Sequence, residues 1–310
     1  MRIPSEFVDL DLCLKGFILH LSDRNVKGSL EHFDEIKSER AATRTVEVWL
    51  PPGYFENPDR RLPVLYMHDG QNLFEARHSF SGISWGMDEA VVRSMDSKGH
   101  DGIIIVGIWN TPNRIPEYMP QRPLERIQYF RKRMRFARTY GDHACSDDYL
   151  WFIVNELKPK IDKRYRTLTG QKHTYMMGSS MGALVTLYGL CEFPHVFSNV
   201  ACLSTSWTVV KRIMLSYLQH HIPSPKNHRI YFDYGIEAHI GAYKNLQQQV
   251  NNLFRFAGFR QEDQFLARHF PGATHSEVAW RERVDIPLDF LLSDWYAQTE
   301  RLGIDERIED

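Results

Sequence analysis

The stretch His173 to Leu190, HTYMMGSSMGALVTLYGL, constrains the fold more than any other part of the chain. A β-favouring apolar segment, Thr174 to Met177, runs into Gly178-Ser179-Ser180-Met181-Gly182, and an apolar pattern of helical period follows through Leu184, Leu187 and Tyr188. The order is strand, sharp turn, helix. In that setting a serine is held in strained backbone geometry at the top of a sheet, and glycines two residues before and after it remove Cβ atoms that would collide. Ser180 is therefore the candidate nucleophile, with Ser179 one residue out of frame. The helix N-terminus behind it points free N–H groups at developing negative charge, and the Met181 N–H is a candidate for half of an oxyanion hole.

The flanking sequence reads as further strands of a mostly parallel sheet with helices on both faces. Thr43 to Leu50 alternates and is stopped by Pro51-Pro52-Gly53, which predicts an edge-type strand. Leu62 to Met67 is a short continuous apolar run of the buried parallel kind, ending in His68-Asp69-Gly70-Gln71-Asn72. Ligands collect at the carboxyl ends of strands in such sheets, and a Gly-containing turn there can offer backbone N–H groups to a substrate oxygen. Asp69 and Gly70 are thus candidate substrate contacts. A helix begins near Trp85, the strand Gly102 to Ile108 ends in Trp109-Asn110 with Arg114 beyond, and the strand Val196 to Leu203 is followed by Ser204-Thr205-Ser206-Trp207. From their places at these ends, Trp85, Asn110, Arg114 and Trp207 are candidate pocket residues, Trp207 as an aromatic wall.

A serine attacks a carbonyl at neutral pH only if a base takes its proton, and that base is held in the right tautomer by an acid. His275 lies in a Gly-containing loop after the last strand, Phe265 to Phe270, and is the candidate base; otherwise it caps the helix starting at Glu277. Asp233 and Glu237 both follow the penultimate strand, Arg229 to Phe232, and either could be the acid; Glu237 sits farther out, whereas Asp233 could instead pin the loop. Nucleophile, acid, histidine is the chain order of the α/β-hydrolase fold.

Composition excludes several classes. With 310 residues, a net charge of −1 and 43% hydrophobic residues, the chain fits one α/β domain, with a core of about 43–296 and an N-terminal extension, 1–42, carrying a peripheral strand. Interspersed charges give no nucleic-acid footprint, and no segment reaches the length of a membrane span. Met1 to Phe17 has acids inside the would-be apolar region, so a secretory signal is not expected and a cytoplasmic location is. Cys13, Cys145, Cys191 and Cys202 lack metal-site spacing, the histidines His220, His221 and His228 read as surface residues, and neither cofactor nor metal is expected. Residues 113–145 break the βα rhythm as a lid-like insertion, with Arg122, Arg126, Arg131, Lys132, Arg133, Arg135 and Arg138 interleaved with aromatics, a solvated face or a means of steering an anionic substrate.

VLYMHDGQNLF, IIIVGIWNTPNRIPEYMP, ELKPKIDKRYRT, YMMGSSMGALVTLYG, CEFPHVFSNVACLSTSW and FPGATHSEVAWRERVDIPLDFLL together resemble the putative esterase family of α/β-hydrolases, which includes enterochelin-type trilactone esterases. The resemblance runs from about Thr43 to Leu292. It implies Ser180 as nucleophile, His275 as base, and an oxyanion hole of the Met181 N–H and an N–H of the His68 to Gln71 loop, Gln71 being the candidate. Relatives often carry an aspartate a few residues after the position of Gly235, where this chain has Ala238 and Ile240, so the acid has moved to Glu237 or the site is a serine–histidine dyad. The expected activity is carboxylic ester hydrolysis through an acyl-enzyme on a small-molecule substrate, a siderophore-type trilactone or another aromatic or anionic ester. Feruloyl or acetyl carbohydrate esters, or acyl transfer on the same fold, are the alternatives; a silent binding module would have lost the serine, histidine or elbow glycines.

Overall fold

The computed structural model describes residues 20–21, 26–125, 143–235 and 240–305, with the side chains of 20–21, 240 and 298–305 excepted. They form one nine-stranded sheet in the order β1-β2-β3-β5-β4-β6-β7-β8-β9. The strands are β1 (His20–Leu21), β2 (Ser29–Ile36), β3 (Arg44–Leu50), β4 (Val64–His68), β5 (Ile104–Ile108), β6 (Thr174–Ser179), β7 (Asn199–Leu203), β8 (Arg229–Tyr234) and β9 (Phe265–His269). β4 to β9 pair in parallel, and β1 to β3 add an antiparallel extension on β5. β3 is therefore not an edge strand as its alternation and the following prolines suggested; it pairs on both sides, and its side chains from Val46 to Leu50 are buried.

β4 to β8 are continuous apolar runs because helices cover both of their faces. α1 (Met87–Lys98), α2 (Arg114–Tyr118) and α3 (Gln121–Glu125) follow in chain order. α4 (Ser146–Trp151) continues through a π-helical stretch, Phe152–Leu157, into α5 (Lys158–Arg164). Pro159 has no N–H to give to the preceding turn, so the helical run from Ser146 to Arg164 cannot be regular. α6 (Met181–Glu192), α7 (Trp207–His221) and α8 (Ile240–Phe256) come next. Nearly every residue of α6 is buried, which is why its sequence is apolar all round.

The closing helix breaks in two, α9 (Glu277–Arg281) and α10 (Asp285–Asp305). Pro287 suits the first turn of a new helix, and the break turns Arg283 inward. Of the insertion, residues 126–142, with Arg126, Arg131, Lys132, Arg133, Arg135 and Arg138, lie outside the described residues; Arg122 is paired with Glu192 at 2.7 Å. His228 is buried, not a surface residue, and its ring bonds the Ser224 and Pro194 carbonyls. Cys191 and Cys202 are free and buried, where they pack as small hydrophobes.

Candidate active site

The site is assembled from the carboxyl ends of β4, β6, β7, β8 and β9. Ser180 follows β6 directly with φ 55° and ψ −118°, a conformation costly for a residue with a Cβ. Glycine is required at Gly178, and there is little room for a larger residue at Gly182. A Cβ on Gly178 would lie 2.7 Å from the Gly182 carbonyl carbon, and one on Gly182 would lie 3.3 Å from the His68 Cβ. The elbow thus packs directly on the end of β4. Two backbone bonds fix it to β7: Ser180 N–H donates to the Leu203 carbonyl (2.9 Å) and Ser206 N–H to the Ser180 carbonyl (3.1 Å).

His275 reaches the nucleophile position from the loop after β9, its Nε2 2.9 Å from Ser180 Oγ. It does not cap the helix behind it; Ser276 does, accepting from the Ala279 N–H. Trp280 supports the imidazole edge-on, ring centroids 5.1 Å apart, and its own indole N–H donates to Ser204 Oγ (3.2 Å). Gly235, just after β8, touches the same loop so closely that a Cβ there would lie 2.0 Å from the Ala273 carbonyl oxygen. The chain therefore leaves β8 two residues from His275. Glu237 itself lies outside the described residues.

Asp233 is corrected as a candidate acid. It is fully buried, and its carboxylate accepts from Arg283 Nε and Nη2 (both 3.0 Å), the Tyr231 hydroxyl and the Ser204 N–H. Burial pushes its carboxyl above the usual carboxylate range, against the pull of Arg283. Arg283 also donates to Ser204 Oγ, so this ion pair ties β7, β8 and the segment behind His275 together.

The turn after β4 has its own anchors. Asp69 sits in the left-handed region (φ 56°), and Gly70 packs so tightly on Gly107 that a Cβ would lie 2.4 Å from that residue's carbonyl carbon. Arg114 grips the Asp69 carboxylate through Nε (2.7 Å) and Nη2 (2.8 Å), and Asn110 Nδ2 donates to it at 2.6 Å. α2 is in turn fixed by a buried bidentate pair, Arg44 with Glu117. Beneath the turn, His68 Nδ1 meets the Tyr149 hydroxyl at 2.7 Å, and burial lowers its pKa to about 3, so the ring is neutral. Met181 N–H starts α6, and Gln71 lies in the 3₁₀ turn Gly70–Asn72 with its side chain accepting from the Asn110 N–H.

Of the expected substrate contacts, Asn110 and Arg114 remain half-exposed beside this turn, while Asp69 and Gly70 are buried in holding it. Trp207 is corrected: it is 1% exposed, packed at a tilt against Phe232 with its indole N–H on Gln247, and so belongs to the core. Trp85, 4% exposed, packs against Trp280 and backs the histidine support instead of lining a pocket. Ser206, half-buried with its Oγ 2.9 Å from Ser180 Oγ, was not singled out by the sequence, where a serine before a helix reads as a cap.

Among the described residues no group of three or more His, Cys, Asp or Glu could hold a metal ion, and no helix is long and apolar enough to cross a membrane. A family model described as "Putative esterase" matches residues 38–287. The chain belongs to this family. An esterase of this family is a carboxylic ester hydrolase, which makes its substrate a small-molecule ester. The uncharacterized protein YbbA of Bacillus subtilis (strain 168) is 25% identical over 262 residues, covering 81% of this esterase and 90% of YbbA. Among solved structures, a ferulic acid esterase superposes with a TM-score of 0.60 at 17% identity, covering 86% of this chain and 98% of that one. The enterobactin esterase FES of Shigella flexneri, crystallised with enterobactin, gives a TM-score of 0.61 at 18% identity; 84% of this chain is covered but only 57% of that one. These likenesses are of fold, the α/β-hydrolase architecture.

Proposed function

We propose that the esterase cleaves its substrate through an acyl-enzyme on Ser180, with His275 as general base. The observation that carries this reading is the 2.9 Å contact of His275 Nε2 with Ser180 Oγ at a residue whose φ of 55° fits the nucleophile elbow. Ser180 Oγ attacks the ester carbonyl as its proton passes to Nε2; His275 then gives that proton to the leaving alkoxide and activates water for deacylation. The N–H groups of Met181 and Gln71 are the proposed donors to the oxyanion of both tetrahedral intermediates. Glu237 is the proposed acid: Asp233 is committed to Arg283, and the contact of Gly235 with Ala273 starts the Glu237 segment beside the histidine loop.

The names borne by the solved relatives support an aromatic ester, a siderophore-type trilactone being one such substrate. Covalent labelling with a fluorophosphonate, located by peptide mass spectrometry, tests the reading. Label is expected on Ser180, absent from Ser180→Ala and strongly slowed in His275→Ala, with Glu237→Ala slower than wild type. A folded wild type that takes no label at Ser180 would overturn it. Turnover of a catecholate trilactone, a feruloyl ester and an acetylated sugar, compared by kcat/KM, then ranks the substrate classes.

A further inference from the structure

We infer that Ser206 is a catalytic residue: its hydroxyl donates a hydrogen bond to Ser180 Oγ and stabilises the negative charge that oxygen carries when it attacks and when it leaves. The inference rests on Ser180 being the nucleophile. Its first support is proton counting. Ser180 has one hydroxyl proton, and with His275 Nε2 as the accepting base at 2.9 Å that proton is committed there. The second contact of Ser180 Oγ, at 2.9 Å to Ser206 Oγ, can then only be one in which Ser206 donates.

The second support is what Ser206 does not do. It stands at the N-cap position of α7, where a serine ordinarily accepts from the N–H two or three residues on, yet its side chain makes no capping bond. The hydroxyl is turned to Ser180 instead. The third is preorganisation. Ser206 N–H is bonded to the carbonyl of Ser180 itself, and Ser180 N–H to Leu203, so the two hydroxyl-bearing residues are laced at fixed separation. Just before it, Ser204 is held at φ 46° by its N–H on Asp233 and by Trp280 and Arg283 on its hydroxyl. A donor held in place before charge appears costs nothing to reorganise when the charge develops.

In acylation the bond from Ser180 Oγ to the acyl carbon forms as the Ser180 proton moves to His275. Collapse of the first tetrahedral intermediate breaks the bond to the alkoxide, which takes that proton from His275; in deacylation water attacks the acyl carbon as its own proton moves to His275, the C–Oγ bond breaks, and His275 gives the water's proton to Ser180 Oγ. Ser206 keeps its own proton throughout and stabilises Oγ in both directions. Removing such a donor to a charged oxygen is expected to slow both steps by about 10- to 100-fold.

The test compares wild type, Ser206→Ala and Ser206→Thr in fluorophosphonate labelling rate, in kcat and KM for a p-nitrophenyl ester, and in Tm. Ser206→Ala is expected to keep its Tm and KM while kcat and labelling rate fall together by about 10- to 100-fold, and Ser206→Thr, which retains the hydroxyl, is expected to recover most of the loss. Wild-type rates in Ser206→Ala, or a Ser206→Thr as slow as Ser206→Ala, overturn the role of the hydroxyl while leaving Ser180 as nucleophile. A wild type that is not labelled at Ser180 removes both readings at once.

Discussion

Replacing Asp233 with asparagine separates a structural from a catalytic carboxylate. Asp233 and Arg283 are 0% and 5% exposed, and the carboxylate also receives Tyr231 and the Ser204 N–H. Asp233→Asn leaves the Arg283 guanidinium buried without its counter-charge, which costs about 3–5 kcal/mol, a fall in Tm on the order of 10 °C for a chain of this size. Turnover per folded molecule should change modestly, because the carboxylate is linked to the His275 ring indirectly, through Ser204 and Trp280. A triad acid behaves the opposite way, its amide leaving the fold intact and lowering kcat by about 10⁴. Burial raises the Asp233 pKa in spite of Arg283, and a buried ion pair replaced by well-packed apolar residues of similar volume is often neutral in stability. Asp233→Leu with Arg283→Met should therefore regain most of the Tm lost by Asp233→Asn alone. Thermal unfolding followed by circular dichroism, with ester turnover measured well below Tm, reads both quantities. If Asp233→Asn keeps its Tm within about 2 °C and loses a thousandfold in kcat, the structural assignment is wrong.

Other substitutions follow from the same packing. Gly178→Ala brings a Cβ to 2.7 Å from the Gly182 carbonyl carbon, so a loss of about 1–3 kcal/mol with a larger proportional loss of fluorophosphonate labelling is expected, since the displaced atom lies beside the nucleophile; wild-type labelling would refute it. His32, bonded by Glu47 and Asp34 at 3.0 Å each, has its pKa raised, chiefly through the Glu47 hydrogen bond. Its contribution is present in full below the unfolded value of about 6.5 and is lost as pH rises through the raised folded value, so His32→Gln should lower Tm more at pH 6 than at pH 9. His68 has the opposite sign: with its pKa lowered to about 3, the unfolded chain binds the proton first, and stability falls by about 1.4 kcal/mol per pH unit below about 6.5. His68→Gln should flatten that acid limb in a series of denaturation curves, and an unchanged limb would show that His68 is not its source.

How much of this was legible in the sequence depended on whether the signal was local. The elbow was readable because a switch of apolar period and two glycines at fixed offsets lie within a few residues of Ser180. His275 was readable from its place after the last strand. Asp233 was ambiguous because the residue that decides its role, Arg283, lies 50 positions away and turns inward only where the closing helix breaks. Trp207 failed for a similar reason: an aromatic at a strand's carboxyl end can face the cleft or the core, and only the packing of α8, which brings Gln247 to its indole, decides. Ser206 carried a local signal that pointed elsewhere, since serine before a helix is the usual cap.

Three positions around the site share a strained backbone. Asp69, Ser180 and Ser204, at or next to the ends of β4, β6 and β7, all have positive φ without being glycine, at a cost of about 1–3 kcal/mol each. Such conformations persist only where the surroundings over-determine them, and each here is anchored from a distant element. Asp69 is held by Arg114 on a helix itself fixed by Arg44 and Glu117, Ser204 by Asp233, Arg283 and Trp280, and Ser180 by backbone bonds to Leu203 and Ser206. The buried ion pairs therefore have a use that stability bookkeeping does not register: they hold two of the three strained turns, those at Asp69 and Ser204, at the edge of the sheet where Ser180 and His275 meet.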